Sequence, residues 1–357
     1  IRGSSSKKQE NLKKNKKGLL NFKRFDFILK PSLQTGGKAG QEMVTLRTLA
    51  EELDLSIGTV SLALNRSPRV NPATVRRVLE LAEKRHYRPS NIGRALQSGK
   101  SRLIGCLFSS LLNSFFHELV EGIGRRAAAS RYGLLTSWRS DSDLMEQVNL
   151  MRAHRVEGIL FAGATPELPT IAAQLEANGM PTVFCSSHHH GNLPFVVTDD
   201  FAGGGMAAAF LLENGHRNIL LQQYPLQARV DGGMAKLNEA GISPLLFRKA
   251  EELPEAIRQS GATSVIFQTD MEAIDGMYLL RKAGFRIPEE VSVIGYDNLP
   301  LAARPEFELT TIGQMRQELG SRSVDYLIRT SAGETLPRNN YLPPELIVRG
   351  TVKKIQS

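Results

Sequence analysis

The sequence is poor in several residue types, and each shortage excludes a class of protein. Its 357 residues include only two cysteines and one tryptophan. Cys106 and Cys185 each lie in an apolar run, too far apart for a disulfide framework and without metal-ligand spacing. They read as reduced core residues of a protein of the bacterial cytoplasm. No apolar run approaches the roughly 18 residues needed to span a bilayer, so no membrane partner is expected. Apolar heptads are also missing behind the last predicted strand, which argues against a coiled-coil tetramer. Acidic residues are scarce only at the front. Residues 1–42 carry 11 Lys/Arg against 3 Asp/Glu, residues 43–102 carry 11 against 5, and residues 103–357 carry 23 against 28. The net charge of +9 therefore belongs to a basic front end on a mildly acidic body. That division suits a small nucleic-acid reader joined to a larger domain, and the length suits two or three domains.

Residues 1–42 are lysine-rich and without periodicity. They could be a DNA-binding arm, a disordered solubilising segment, or sequence upstream of a start at Met43; a disordered or non-native leader is the expectation. From Val44 the pattern sharpens. Leu46, Leu49, Ala50 and Leu53 fall at helical spacing, and Asp54-Leu55 breaks the run. Ser56 is a good N-cap for a second short helix burying Val60, Ala63 and Leu64. Two short helices with so small a turn are a helix-turn-helix candidate. Asn71-Pro72, a cap followed by proline at the first helical position, opens a third helix to about His86.

Leu55-Ser56-Ile57-Gly58-Thr59-Val60-Ser61-Leu62-Ala63-Leu64-Asn65, then Pro68-Arg69-Val70 and His86-Tyr87-Arg88-Pro89, closely resemble the headpiece of the LacI/GalR family of repressors. The resemblance implies a DNA-binding headpiece over residues 43–89. Its contacts would come from Thr45, Ser56, Ile57, Gly58, Thr59, Ser61, Leu62 and Asn65, with the second helix in the major groove. It further implies a hinge helix over residues 90–102, where Arg94 and Leu96 meet DNA and Leu96 wedges between base pairs. Gly93 replaces the family's usual alanine there, at a cost of about 1 kcal/mol in a helix interior.

From Leu103 strands and helices alternate. Strands are predicted at Leu103–Phe108, Gly133–Thr136, Gly158–Phe161, Thr182–Cys185, Ile219–Gln222, Ser264–Phe267 and Val291–Tyr296. Between them lie helical patterns such as Phe115–Ser130, Asp143–His154, Gly204–Glu213, Gly232–Ala240 and Ala273–Ala283. Such alternation implies parallel sheets covered on both faces, and so many units imply two similar subdomains. The resemblance continues at Asn113-Ser114-Phe115-Phe116, Gly215-His216-Arg217-Asn218-Ile219, Gly295-Tyr296-Asp297-Asn298 and Leu309-Thr310-Thr311-Ile312. It implies an α/β fold like type I periplasmic-binding proteins, two Rossmann-like subdomains joined by three crossings over residues 103–357. On that template the first subdomain takes about 103–198 and 312–335, and the second about 199–311 and 336–351. The crossings fall near Thr198-Asp199, near Thr311 and near 335, returning Tyr341–Thr351 to the second subdomain.

Carried over by residue, the resemblance places Phe115, Phe116, Ser186, Arg229, Asp297 and Gln314 around a small effector, a sugar or related metabolite. An arginine fork facing a carboxylate across an apolar cleft can bind a polyol from both sides; as residues alone, Arg229 and Asp297 could equally be a structural ion pair. Ser186 stands where many sugar-binding members have Asp, and Thr269-Asp270 replaces their Asn-Asp. The implied protein is a homodimeric repressor on pseudo-palindromic operator DNA, without enzymatic activity, cofactor or metal. Three other signals fail. Gly93 to Ser101 is one residue too long for a phosphate-binding loop and precedes a strand. His188-His189-His190 has no Cys, Asp or Glu partner at ligand spacing. Gly203-Gly204-Gly205 resembles a dinucleotide fingerprint, but Asp199 and Asp200 would repel a pyrophosphate.

Overall fold

Leu49, Ala50, Val60, Ala63, Val70, Val78 and Ala82 are all buried, and bringing these apolar side chains together folds the first unit. The structure is a computed structural model that describes residues 44–87, 99–110, 112–138, 144–163, 165–187, 192–223 and 226–355. It divides at Pro89 and Ser90 into two compact units. In the first, α1 (Leu46–Leu53) starts on a capping box in which Thr45 and Thr48 bond each other's backbone N–H. Asp54, in the left-handed region at φ 52°, stops it. The Ser56 hydroxyl accepts the Thr59 N–H at 3.1 Å and opens α2 (Ile57–Leu64). Asn71 accepts the Ala73 N–H at 2.8 Å and opens α3 (Pro72–Lys84). The three helices are those expected from the caps and apolar spacing. The hinge residues Arg94 and Leu96, the leader and the histidine triplet lie outside the described residues.

The second unit holds two six-stranded sheets. The first contains β1 (Leu103–Phe108), β2 (Gly133–Trp138), β3 (Ile159–Ala162), β4 (Thr182–Cys185), β5 (Phe195–Thr198) and a later strand, β11 (Asn339–Leu342). Its order is β11-β5-β4-β3-β1-β2, all parallel. Helices α4 (Phe115–Ala129), α5 (Leu144–Ala153) and α6 (Leu168–Ala177) alternate with its strands. The chain then crosses into α7 (Asp200–Glu213), β6 (Ile219–Gln222), α8 (Gln227–Glu239), β7 (Leu245–Phe247), α9 (Leu253–Ser260), β8 (Ser264–Ile266), α10 (Asp270–Lys282), β9 (Ser292–Asp297) and β10 (Thr310–Gly313). It recrosses into α11 (Arg316–Ser331), which packs on α4, and ends in β12 (Glu345–Ile347). The second sheet runs β12-β10-β9-β8-β6-β7, with β12 alone antiparallel. Buried apolar clusters cover both faces of each sheet. Cys106 and Cys185 lie in one of them, where burial pushes both thiols up to about 12, far from nucleophilic use.

Two expectations about the crossings are corrected. Thr310–Gly313 stays wholly within the second sheet, so the second crossing follows Gly313 rather than Thr311. The third falls at Pro343-Pro344, not near 335, because Asn339–Leu342 pairs with β5 in the first sheet, Tyr341 opposite Val197. The prolines lack the N–H needed to extend that ladder. Gly203–Gly205 lies inside α7 rather than in a phosphate loop. A Cβ on Gly204 would sit 2.0 Å from the Arg229 carbonyl, and one on Gly232 1.9 Å from that of Phe201. The glycines let α7 and α8 meet backbone to backbone. Likewise a Cβ on Gly122 of α4 would lie 2.1 Å from the Gln317 carbonyl of α11, whereas one on Gly124 meets nothing within 4 Å.

Gly122→Ala is therefore expected to destabilise the protein by about 1–3 kcal/mol through overpacking. Gly124→Ala in the same helix should stabilise it by up to about 1 kcal/mol through propensity. Urea unfolding of the two variants beside the parent measures both, and equal stabilities would refute the α4–α11 contact.

Candidate functional site

In an open parallel sheet, ligands bind beyond the carboxyl ends of the strands, where the direction of the crossovers reverses. The first sheet reverses between β1 and β3, and the second between β6 and β8. Phe115 and Phe116 open α4 directly after β1 and pack edge to face, 5.5 Å between centroids. Leu299, just past β9, shares their apolar cluster, so the carboxyl ends of the two sheets meet. In the second sheet the crevice is zipped by glutamines. Gln268 receives the Gln222 side chain at its backbone N–H and donates its own amide to the Gln222 carbonyl, both at 2.9 Å.

Asp297 ends β9 and lies at the centre. It has φ 114° and Asn298 φ 54°, backbone states that persist only when the surroundings impose them. Gln314, between β10 and α11, donates to Asp297 Oδ1 at 2.7 Å and accepts from the Thr198 hydroxyl at 2.9 Å. One amide thus ties the first two crossings together. Arg229, in the first turn of α8, bonds Asp200 Oδ1 through Nε at 3.0 Å, reaches Asp297 at 3.6 Å, donates to the Gln268 carbonyl and lies 3.6 Å from the Tyr296 ring centroid. The Tyr296 hydroxyl donates to the same Asp200 oxygen at 3.0 Å. Arg316, only 3% exposed, bonds Glu118 of α4 at 2.7 Å and the carbonyls of Asp297 and Asn298.

Burial acts against the charge of Arg229, but Asp200 and Asp297 outweigh it and hold its pKa above the ordinary value. The carboxylates go the other way. Burial, then the charge of Asp297, pushes Asp270 up to about 7; burial pushes Asp297 up to about 6 against the pull of Arg229. Asp270 accepts from the Leu299 N–H at 2.6 Å and from the Thr311 hydroxyl, joining α10 to the ends of β9 and β10.

Arg229, Asp297 and Gln314 are thus in one network, and Phe115 and Phe116 are paired. Ser186, at φ 61° just after β4, donates its backbone N–H to Val196 and, among the described residues, shares no hydrogen bond with the other five. Asp200, Tyr296, Asp270 and Arg316 were not foreseen. Asp200 had weighed only against a dinucleotide, and nothing in local sequence marks Arg316. In the headpiece, Ile57, Gly58 and Leu62 form an exposed face of α2 opposite buried Val60 and Ala63. Thr59 and Ser61 are half-buried, and Asn65 is exposed, its amide bonded to the Ser61 carbonyl. Thr45 and Ser56 are exposed, with hydroxyls engaged as caps.

Folded Asp270 and Asp297 hold protons that unfolded carboxyls release near pH 4. Their contribution to stability is complete below about pH 4 and is lost as the pH rises through 6 and 7. Unfolding free energy should thus fall between pH 5 and 8, each group adding at most about 1.4 kcal/mol per pH unit. Asp270→Asn, whose amide can donate to Thr311 and accept from Leu299, should flatten that slope. An unchanged pH profile would remove Asp270 from the account.

A family model described as periplasmic binding proteins and sugar binding domain of LacI family matches residues 101–349. The chain is 28% identical over 338 residues to the HTH-type transcriptional repressor PurR of Aliivibrio salmonicida, covering 88% of this chain and 100% of that protein. It is 27% identical over 329 residues to the ribose operon repressor of Escherichia coli, covering 87% and 100%. Among solved structures, the lac repressor dimer bound to operator and the anti-inducer ONPF matches with a TM-score of 0.79 at 25% identity, over 87% of this chain and 99% of that one. A LacI family regulator from Enterococcus faecium with bound ribose matches with a TM-score of 0.62 at 27% identity, over 71% and 100%. With the family model spanning most of its length, the chain belongs to the LacI family of transcriptional regulators.

Proposed function

We propose that the chain is a cytoplasmic, homodimeric repressor whose two headpieces read the halves of a pseudo-palindromic operator and whose cleft binds a sugar or related metabolite. The observation that carries this reading is the Arg229–Asp297–Gln314–Thr198 network, which sits where the two sheets and two crossings meet. A molecule bonding Arg229 or Asp297 competes with contacts that set the angle between the subdomains. Ligand then shifts a population between two arrangements, by as much as its affinities for them differ. Repression relieved by ligand is the expected sign. Phe115 and Phe116 supply an apolar wall for a ring, and Ser186 a hydroxyl near the rim. The relatives support the assembly, since the lac repressor structure is a dimer on operator and the Enterococcus faecium regulator holds ribose. The site residues form ion pairs with one another and leave no nucleophile–base pair, which favours a regulator over an enzyme.

Selection of duplexes from a random pool at physiological salt tests the reading. A two-fold symmetric consensus is expected, released by at least one member of a metabolite panel with an affinity change of roughly 5-fold or more. Selection of no sequence, or of an asymmetric one, would overturn it.

Base reading follows from the exposed face of α2. Many family members have arginine at the position of Leu62, and arginine bonds guanine O6 and N7 with two parallel hydrogen bonds. Leu62 and Ile57, 40% and 45% exposed, offer only apolar contact suited to thymine methyl groups. Leu62→Arg should therefore create a guanine preference of ~1–3 kcal/mol at one half-site position. Binding series over all four base pairs at each position would coincide for the two proteins if Leu62 faces away from the bases.

A further inference from the structure

Every helix that follows a strand of a parallel sheet begins at the carboxyl edge, so helix N-termini converge on the cleft. Such ends are ready-made anion sites, because free N–H groups and the helix dipole both favour negative charge. Here they are already occupied by the chain's own acids. The first turn of α4 carries Glu118, that of α7 Asp200, that of α10 Asp270 and Glu272, and that of α11 Glu318. The backbone donors are taken as well. Asn113 accepts from Phe115 N–H at 2.9 Å, Asp199 from Ala202 at 3.0 Å and Thr269 from Glu272 at 3.2 Å. The first turn of α8 has no acid, but it carries Arg229, already matched by Asp200 and Asp297. Arg316 is matched by Glu118 and two carbonyls. Among the described residues of this region, buried carboxylates outnumber the two buried guanidiniums.

We propose that Asp200, Glu118, Asp270 and Glu272 are specificity-determining residues that exclude anions from the cleft, so the effector is the uncharged form of its metabolite and phosphate esters and carboxylates are rejected. A phosphate placed there would find each helix end and each guanidinium already neutralised, and would face carboxylates instead. The inference rests on the effector reading above and names the charge class of that effector.

Thermal unfolding of the full chain tests it with inorganic phosphate, D-ribose 5-phosphate and D-glucose 6-phosphate, each against chloride at equal ionic strength. The parent protein should show no saturable rise in Tm with any of the three. Asp200→Asn keeps the acceptor for Arg229 and removes its charge, and Glu118→Gln does the same for Arg316. Each should gain a phosphate-dependent rise of about 2–4 °C. Glu334→Gln, whose parent carboxylate pairs with exposed Arg329 at 2.7 Å, should gain nothing. Saturable stabilisation of the parent by any of the three anions would overturn the proposal, and so would folded Asn and Gln variants that gain nothing. If Asp200→Asn fails to fold, the half-exposed Glu118 carries the test alone. Operator selection plays no part in this measurement, so failure of the regulator reading would be seen separately.

Discussion

Asp297 is held from both ends of the residue. Its carboxylate accepts from Gln314 and faces Arg229, while its carbonyl accepts from Arg316. A left-handed, non-glycine residue at the end of a central strand costs about 1–3 kcal/mol and persists only when its neighbours impose it. Those neighbours come from different parts of the chain: α8, the segment after β10, and the first turn of α11. The strained turn is therefore where the two subdomains register each other. Removing Arg229 would leave two buried carboxylates without their cation, a loss of the kind that costs 3–5 kcal/mol. The cluster is structural scaffold and candidate ligand site at once, since the contacts a ligand would compete for are those that hold the subdomains together.

Around that point the helices move as pairs rather than singly. Gly122 and Gly320 bring α4 and α11 into backbone contact, and Arg126–Asp325 and Gln317–Glu121 bond them further along. Gly204 and Gly232 do the same for α7 and α8. Arg316 opens α11 and bonds Glu118 of α4, so a shift of the Asp297 turn acts on a locked pair. Close-packed interiors transmit such displacements instead of absorbing them. The glycine run that imitates a nucleotide fingerprint serves this packing.

The charge pattern follows the same division of labour. The basic excess lies in residues 1–102, where phosphate attraction is useful, and the acidic excess lies in the remainder. Within the body, carboxylates at helix N-termini complement the dipoles and neutralise the two buried arginines, which leaves a cleft suited to hydrogen bonding more than to ion capture.

Much of this was legible locally. Caps at Thr45, Ser56 and Asn71, the apolar spacing behind them and the alternation from Leu103 onward determine three headpiece helices and a parallel α/β body, because they act within a few residues of themselves. The sequence motif also sufficed to single out Arg229, Asp297 and Gln314. Short or edge elements escaped it: β7 has three residues, and β11 is recognisable only by its pairing with β5, so the last crossing was misplaced. Tertiary structure alone decided that Arg229 divides itself between Asp200 and Asp297, that Arg316 bonds Glu118 198 residues away in sequence, and that Asp270 joins two strand ends. Such contacts depend on which strand carboxyl ends meet across the cleft, and that is a property of the folded topology that no local pattern encodes.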